Sequence, residues 1–220
     1  ALTLVQTEKV LKFPIVLTGT LSAFKAADAL VSYMLDLPGN EQMQSVNPIV
    51  GETNDGFLSD IRSRPISEAH VLTALRETSD GPVAEGCVGA GTGTSSLGFK
   101  AGMGTASRVV DIPGTRRSAR VGVLVQSNFG GTLSVLGVPI EKKAALRPAG
   151  LVEPDDDRES GNSCVIVVAT DAPLDSRQLT RLATRAVFGM ARTGSDYRHG
   201  SGDYGIAFSV GEGAPVIGRA

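Results

Sequence analysis

Apolar runs alternate along the chain with polar, glycine-containing breaks, and this pattern predicts strands and helices in a mixed order. Residues 13–24 have the pattern of a buried strand that ends in small polar residues, and residues 25–37 follow with apolar positions at helical spacing. Residues 47–61 predict a second short strand and then a loop rich in carboxylate and amide groups. Residues 67–81 predict a helix with a serine at its start and Asp-Gly as its stop.

The middle of the chain changes from strands to a charged segment. Residues 88–112 are glycine-rich and then turn into a strand, and residues 118–131 form a strong strand pattern that ends at a turn. From Gly137 to Gly161 the chain carries charge and proline with almost no periodic apolar pattern, which predicts an exposed, mobile linker.

The last third of the chain predicts a strand, a helix and a further strand. Residues 163–173 begin abruptly as an apolar strand, and residues 202–210 close with another. Between them, residues 175–194 repeat apolar side chains at helical spacing, as expected of a helix that lies on a sheet. These side chains are Leu179, Leu182, Ala183, Ala186 and Val187. The order of elements predicts an α+β layered domain with one flexible loop.

Composition narrows the functional classes. The 220 residues are 41% hydrophobic, which is sufficient for a core, and the net charge of -2 with scattered basic residues argues against nucleic acid as a partner. No apolar run has the length of a membrane span, so no membrane partner is expected. The two cysteines, Cys87 and Cys164, make no disulfide framework, although a single bridge stays open, and we expect a cytoplasmic protein.

The junction Asn162-Ser163-Cys164 places a hydroxyl and a thiol at the first positions of a strand. A serine hydroxyl needs a base within hydrogen-bond reach to act as a nucleophile, and neither His70 nor His199 belongs to a recognisable triad pattern. If the bond between Asn162 and Ser163 were cut, Ser163 would gain a free α-amine with a reference pKa of about 7.7 to 8.0. Nucleophile and base would then be one residue, so we interpret the junction as a self-cleavage site.

Other chemical interpretations of the sequence are weaker. Cys164 is a competing nucleophile, but strand alternation points it to the face opposite Ser163, where a buried core thiol is expected. Residues 89–98 lack the spacing of a phosphate-binding loop and predict a tight structural loop near the active site. Glu52 and Asp55 have no histidine or cysteine cluster beside them, so neither a metal nor another cofactor is expected.

Several long motifs resemble the L-aminopeptidase/D-esterase and β-peptidyl aminopeptidase family (DmpA and BapA). The motifs are "NSCVIVVATDAPLDSRQLTRLATRA", "GSGDYGIAFS", "PIVGETNDG", "GPVAEGCVGAGTG", "FKAGMGTASRVV" and "VGVLVQSNFG", and they follow the family's order over most of the chain. The resemblance implies a four-layer αββα sandwich of the DmpA/ornithine acetyltransferase type. It also implies a precursor that cuts itself, here into residues 1–162 and 163–220, which together form one domain. Family precursors continue beyond both ends of this sequence, so we expect both parts to lack a terminal region of the family.

The resemblance also assigns roles to individual residues. Ser163 matches the nucleophile, and Asn162 precedes the cut. Ser201 and Asp203 match the serine and the acid near the nucleophile's amine, with aspartate in place of the family's glutamate. Three further residues complete the set: Asn128 as oxyanion donor, Glu52 as the partner of the substrate ammonium, and Asn54 where one member has a tyrosine near the oxyanion.

The implied activity is that of an aminopeptidase on short peptides, amino-acid amides and esters, with D- or β-amino acids left open as substrates. The implied assembly is an oligomer of processed units. Two alternatives remain open at this point. One is an acyltransferase of the ornithine acetyltransferase type, although that type exposes a threonine at the cut. The other is a non-catalytic binding domain of the same fold.

Overall fold

The computed structural model describes residues 13–151, 161, 163–200 and 202–211. In this part of the chain two larger sheets carry the fold. The strands are β1 (Ile15–Gly19), β2 (Ile49–Thr53), β3 (Ser95–Ser96), β4 (Phe99–Lys100), β5 (Met103–Asp111), β6 (Ser118–Asn128), β7 (Ser134–Val135), β8 (Val138–Pro139), β9 (Ser163–Thr170) and β10 (Asp203–Ser209). One of the two larger sheets pairs β1 with β2 in parallel, and the other has four strands in the order β10-β9-β6-β5.

Helices cover the outer faces of the two larger sheets. The helices are α1 (Ala23–Leu35), α2 (Glu68–Arg76), α3 (Lys142–Leu146) and α4 (Ser176–Thr193). One core lies between α1, α2 and the β1–β2 sheet and is built from Ala26, Ala29 and Val71. A second core lies between α4 and the four-stranded sheet, where Cys164, Ile166, Val168 and Met190 are buried. Among the described residues, no helix combines the length and the apolar character that a membrane span requires.

The inner faces of the two larger sheets pack directly against each other at Gly51. A Cβ added at Gly51 would lie 2.7 Å from Leu17 Cδ2 and 2.8 Å from Val165 Cγ1, so only glycine allows this approach. The layers therefore follow in the order helices, sheet, sheet, helix. This order confirms the predicted α+β, four-layer αββα sandwich.

The apolar face predicted for α4 is confirmed, and local hydrogen bonds explain where the helix begins and ends. Asp175 Oδ1 accepts from the Gln178 N–H at 2.7 Å, while Gln178 Oε1 accepts from the Asp175 N–H at 2.9 Å. Gly194 ends the helix with a φ of 104°, a conformation that favours glycine. Between these caps, Ala183 is buried, and Leu182, Ala186 and Val187 pack on the core.

Two local predictions are wrong. The segment from Gly137 is exposed as predicted, but it has regular structure. It contains β8, α3 and a 3₁₀ turn at Arg147–Ala149. Residues 152–160 lie outside the described part. Alanine, leucine and lysine are strong helix formers, and they form α3 without a long apolar period. Helix α2 ends at Arg76, before the predicted Asp-Gly stop, where Thr78 Oγ1 donates to the Leu75 carbonyl at 2.9 Å.

Candidate active site

Ser163 is the first residue of β9 and lies at an end of the four-stranded sheet. Alternation along the strand turns Cys164, Ile166 and Val168 toward α4, so Ser163 and Val165 face the β1–β2 sheet. Ser163 is 3% exposed, and its Oγ atom has no hydrogen-bond partner among the described residues. A strand position with both neighbouring strands paired holds this hydroxyl rigidly between the two sheets.

Asn128 lies directly beside Ser163, because the antiparallel register of β6 and β9 pairs the two residues. Two backbone groups hold its side chain: Oδ1 accepts from the Ser95 N–H at 3.1 Å, and Nδ2 donates to the Asn54 carbonyl at 2.8 Å. An amide nitrogen carries two N–H groups, so one remains for a further acceptor. This arrangement places a fixed amide donor next to the hydroxyl of Ser163.

Asn54 takes part in this arrangement through its backbone. Its side chain is exposed, and Oδ1 accepts from the Gly56 N–H at 3.0 Å in a local turn. The predicted contribution of the Asn54 amide to the oxyanion stays a prediction. What the structure adds is the carbonyl of Asn54 as the group that orients Asn128.

Gln126 joins the two larger sheets next to the Asn128–Ser163 pair, a role that the sequence analysis missed. It is completely buried, and its Nε2 donates to the Thr18 carbonyl at 3.0 Å and to Thr53 Oγ1 at 2.7 Å. The only sequence signal is that Gln126 lies two residues before Asn128, on the same face of the strand.

Glu52 lies at the end of β2, opposite Thr18 in the register, and its Oε2 accepts from the hydroxyl of Thr20. Because Gly51 faces Val165, alternation turns Glu52 toward the helical side of the sheet. Glu52 also lines a cavity of about 460 Å³ together with Phe24, Val165 and Tyr204, among other residues. Ser163 does not line this cavity, but Val165, on the face of β9 that Ser163 shares, does. The predicted role of Glu52 stays a prediction.

Cys164 belongs to the core, as the sequence predicted. It is fully buried, and burial together with the nearby Asp203 charge raises the pKa of its thiol to about 12. Both cysteines are free, and Cys87 is exposed. A thiol that stays protonated at neutral pH is a poor nucleophile, so the serine is the better candidate at this junction.

Asp203 pairs in register with Cys164 at the start of β10. Burial raises the pKa of its carboxyl, and a hydrogen bond from the backbone N–H of Cys164 acts in the opposite direction. Because the Asp203 carboxylate accepts from the N–H of Cys164, it lies one residue along the chain from the backbone nitrogen of Ser163. The two remaining predicted residues, Asn162 and Ser201, lie outside the described residues.

Buried polar atoms without a hydrogen-bond partner cluster around this pair. In the described part of the chain they are Asp55 Oδ1, Ser95 Oγ, Gln126 Oε1, Ser163 Oγ and Asp203 Oδ1. Each belongs to the Asn128–Ser163 pair, to a residue that contacts it, or to a near neighbour in sequence or register. Unpaired buried polar groups are rare in folded proteins and are costly, so this cluster is the candidate functional site of the described residues.

The glycine-rich loop at residues 89–98 lies beside the site, as predicted. Ser95 orients Asn128 from this loop, and Gly161, just before the proposed cut, packs against it. A Cβ added at Gly161 would lie 2.7 Å from the Ser95 carbonyl oxygen and 2.6 Å from that of Asn128. No group of three histidine, cysteine or carboxylate side chains that could hold a metal occurs among the described residues.

Comparisons with known proteins identify the family of this chain. Residues 1–217 match the model of peptidase family S58. The β-peptidyl aminopeptidase BapA of Sphingosinicella microcystinivorans is 41% identical over 209 residues, which cover 90% of this chain and 51% of that protein.

Two solved structures share the fold. One is the L-aminopeptidase D-Ala-esterase/amidase of Ochrobactrum anthropi, a prototype for the serine aminopeptidases and a variant of the Ntn hydrolase fold. It superposes with a TM-score of 0.75 at 41% identity, over 88% of this chain and 52% of that chain. The β-aminopeptidase of Burkholderia sp. gives a TM-score of 0.80 at 40% identity, over 98% and 58% of the two chains. The chain thus spans about half the length of the relatives it matches, and by these matches it belongs to peptidase family S58.

Proposed function

We propose that this chain is part of a self-cleaving serine aminopeptidase that acts on short peptides, amino-acid amides or esters. The observation that carries the proposal is the pairing of Ser163 with Asn128, because it joins a buried, unpartnered hydroxyl to a fixed amide donor. Neither imidazole is a hydrogen-bond partner of Ser163 Oγ in the described part of the chain, and we place its base elsewhere. The free amine that a cut before Ser163 would create supplies that base.

The cut begins at the hydroxyl of Ser163. Ser163 Oγ attacks the carbonyl carbon of Asn162, the C–O bond forms, and the C–N bond between the two residues breaks. The proton of the hydroxyl goes to the leaving nitrogen, which becomes the α-amine of Ser163. Water then hydrolyses the ester, leaving a carboxylate on Asn162 and a free hydroxyl on Ser163. The products are residues 1–162 and residues 163–220, whose strands β6 and β9 stay paired in one sheet.

Turnover uses the same hydroxyl on a substrate. The α-amine, with a reference pKa of about 7.7 to 8.0, takes the proton of Ser163 Oγ as the oxygen attacks the substrate carbonyl. The free N–H of Asn128 donates to the oxyanion, and the protonated amine gives its proton to the leaving group. Water releases the acyl group in a second round. Ser201 and Asp203 are the proposed partners of the amine. Glu52 is the proposed partner of the substrate ammonium, and Asn54 is the second residue proposed to bind the substrate.

Mass spectrometry of the purified protein combined with hydrolysis of aminoacyl p-nitroanilides tests this proposal. We expect two fragments that separate at Asn162-Ser163, and activity that appears with the cut. Ser163→Ala should leave one chain without activity, whereas Ser107→Ala, an exposed serine on β5, should cut and hydrolyse as the parent does. An uncut chain that still hydrolyses these substrates would exclude the mechanism.

Asn128→Asp tests the oxyanion donor separately. Aspartate keeps the acceptor for the Ser95 N–H but loses the amide protons, so kcat should fall by about 10²- to 10³-fold with little change in KM. A rise in KM with kcat unchanged would show that Asn128 binds the ground state and the transition state equally and does not act on the transition state alone.

We further propose assembly into an oligomer of processed units and a cytoplasmic location. Exposed apolar side chains on the β7–β8 hairpin, Val135, Leu136 and Val138, are suited to burial between subunits. Two free cysteines fit a reducing compartment. Light scattering after size-exclusion chromatography tests the assembly, since a monomeric mass of the cut protein would refute it.

A further inference from the structure

Ser95, in the glycine-rich loop, carries a buried hydroxyl without a hydrogen-bond partner. The residue is 4% exposed, and no described residue donates to its Oγ atom or accepts from it. Its backbone N–H is used, because it donates to Asn128 Oδ1 at 3.1 Å. Burial of a hydroxyl without a partner is costly, so a partner that arrives with the substrate is a physical reason to keep it.

Strand alternation turns this hydroxyl toward the face of the nucleophile. Ser96, the next residue of β3, has its Oγ 2.7 Å from Ser127 Oγ, and Ser127 pairs in register with Cys164 on the α4 side of the four-stranded sheet. Neighbouring side chains of a strand point in opposite directions. The Ser95 hydroxyl therefore points away from the α4 core, toward the inner face of the sheet.

Two contacts keep Ser95 close to the nucleophile. Asn128, which the Ser95 N–H holds, is the register partner of Ser163. Gly161, two residues before the nucleophile, packs across both supports, since an added Cβ would lie 2.7 Å from the Ser95 carbonyl oxygen and 2.6 Å from that of Asn128. The hydroxyls of Ser95 and Ser163 do not bond to each other, because each is without a partner among the described residues. A third group can therefore accept from Ser95 next to the nucleophile.

The proposed oxyanion position has one side-chain donor so far. Asn128 offers it a single N–H, because the other N–H of the amide donates to the Asn54 carbonyl. The oxyanion of acyl transfer generally receives more than one hydrogen bond. A hydroxyl has one O–H to donate, and that of Ser95 is not used within the described part of the chain. Ser95 is thus suited to supply the second donor.

We propose that the Ser95 hydroxyl is the second donor to the oxyanion that forms when Ser163 attacks a substrate carbonyl. This inference rests on the proposed aminopeptidase function and adds a catalytic residue to it. As Ser163 Oγ bonds to the carbonyl carbon, the carbonyl oxygen takes up an electron pair of its double bond, and Ser95 Oγ–H and Asn128 Nδ2–H donate to it together. When the bond to the leaving group breaks, the C=O double bond returns and both donors are released.

Kinetics of Ser95→Ala on aminoacyl p-nitroanilides test this role. Removal of one oxyanion donor should lower kcat by about 10²- to 10³-fold with little change in KM. Ser95→Cys keeps a side chain of similar size but offers only a weak S–H donor, so it should be nearly as slow. A kcat near the parent value in Ser95→Ala would overturn the proposal. So would full activity in Ser95→Cys, because volume and not hydrogen-bond donation would then be what the site requires.

An amino-acid ester and its thiono ester separate direct donation from an effect on the position of Asn128. Sulfur accepts hydrogen bonds weakly, so the thiono oxyanion analogue gains little from a second donor. The ratio of kcat/KM between the parent and Ser95→Ala should be large for the ester and much smaller for the thiono ester. An equal ratio for both substrates would show that the hydroxyl acts only through another residue, and direct donation would be wrong.

Thermal melting separates this role from a structural one and needs no turnover. Ser95→Ala removes a hydroxyl that has no partner, so its Tm should equal or exceed that of the parent. Ser96→Ala is the matched control, because Ser96 Oγ accepts from the Phe129 N–H at 3.0 Å and bonds to Ser127 Oγ. Its Tm should fall while its kcat stays near the parent value. A clear fall in the Tm of Ser95→Ala would show a structural partner for the hydroxyl and refute the inference.

Failure of this inference and failure of the proposed function give different results. If the parent protein hydrolyses nothing, the proposed function is wrong, and the donor role of Ser95 is wrong with it. If the parent is active and Ser95→Ala is equally active, only the role of Ser95 is lost.

Discussion

Replacing Gly161 by alanine should block self-cleavage while leaving the nucleophile untouched. Gly161 precedes the proposed scissile residue and has a φ of 41°, in the left-handed region that disfavours other residues. Its added Cβ would lie 2.6 Å from the carbonyl oxygen of Asn128 and 2.7 Å from that of Ser95. Both are backbone atoms in the strands that hold the site, so neither can move aside at low cost.

The expected size of the effect follows from two costs. A left-handed conformation costs a non-glycine residue about 1–2 kcal/mol. Overpacking against fixed neighbours adds about 1–3 kcal/mol. The sum is roughly 2 kcal/mol or more. The alanine chain avoids this cost by leaving the described conformation of residue 161, so the population of that conformation falls tenfold for each 1.36 kcal/mol, and cleavage that requires it should slow at least about thirtyfold.

A time course of newly made protein, followed on denaturing gels and by mass spectrometry, measures this rate. Gly150→Ala is the matched control, because Gly150 also has a positive φ, 66°, but an added Cβ there meets nothing within 4 Å. We expect Gly150→Ala to cut at nearly the parent rate. If Gly161→Ala also cut at the parent rate, the packing of Gly161 on Asn128 and Ser95 would be irrelevant to the reaction.

Three further predictions test the surroundings of the nucleophile. In the native protein at pH 8 only Cys87 should react with a thiol reagent, because burial raises the pKa of Cys164 to about 12. Both cysteines should react in denaturant, and labelling of Cys164 in the native protein would contradict its place in the core. Gln126→Leu should lower the free energy of unfolding by about 1–3 kcal/mol because Thr18 and Thr53 lose a buried partner. The exposed Gln44→Leu is its control in urea unfolding, and equal effects would refute the bridge. Asp203→Asn, in the uncut Ser163→Ala background, should raise the free energy of unfolding at neutral pH. Burial raises the pKa of Asp203, so the stability of the protein with Asp203 falls as the pH rises from the unfolded-state pKa through the folded-state pKa. The difference between the two proteins should vanish in acid, and a pH-independent difference would refute this cause.

The strand-based predictions succeeded because they depend on a local rule. Side chains alternate every residue, so the sequence of β9 alone determines that Ser163 and Cys164 lie on opposite faces. The apolar period of α4 likewise determines which face meets the sheet. The predicted end of α2 is wrong because a side chain decides it. The Thr78 hydroxyl donates to the Leu75 carbonyl in place of a backbone N–H, and the apolar pattern does not reveal such a contact.

The contacts that build the site could not be predicted, because they join distant parts of the chain. Gln126 reaches Thr18 across 108 residues and Thr53 across 73. Ser95 donates to Asn128, 33 residues further along the chain, from a glycine-rich loop that the sequence suggests comparing with phosphate-binding loops. Polar residues of these types are common, and only the stacking of the two larger sheets makes these particular ones neighbours.

The same limit explains why two carboxylates near the end of β2 are hard to rank from sequence. Glu52 lies within the strand, where alternation turns it away from Val165 and toward the hydroxyl of Thr20. Asp55 lies past the strand end, where the backbone turns and alternation no longer applies, and its carboxylate is left unpaired between two glycines. Neither carboxylate forms an ion pair among the described residues, so charge alone does not rank the two, and only the geometry around each of them can.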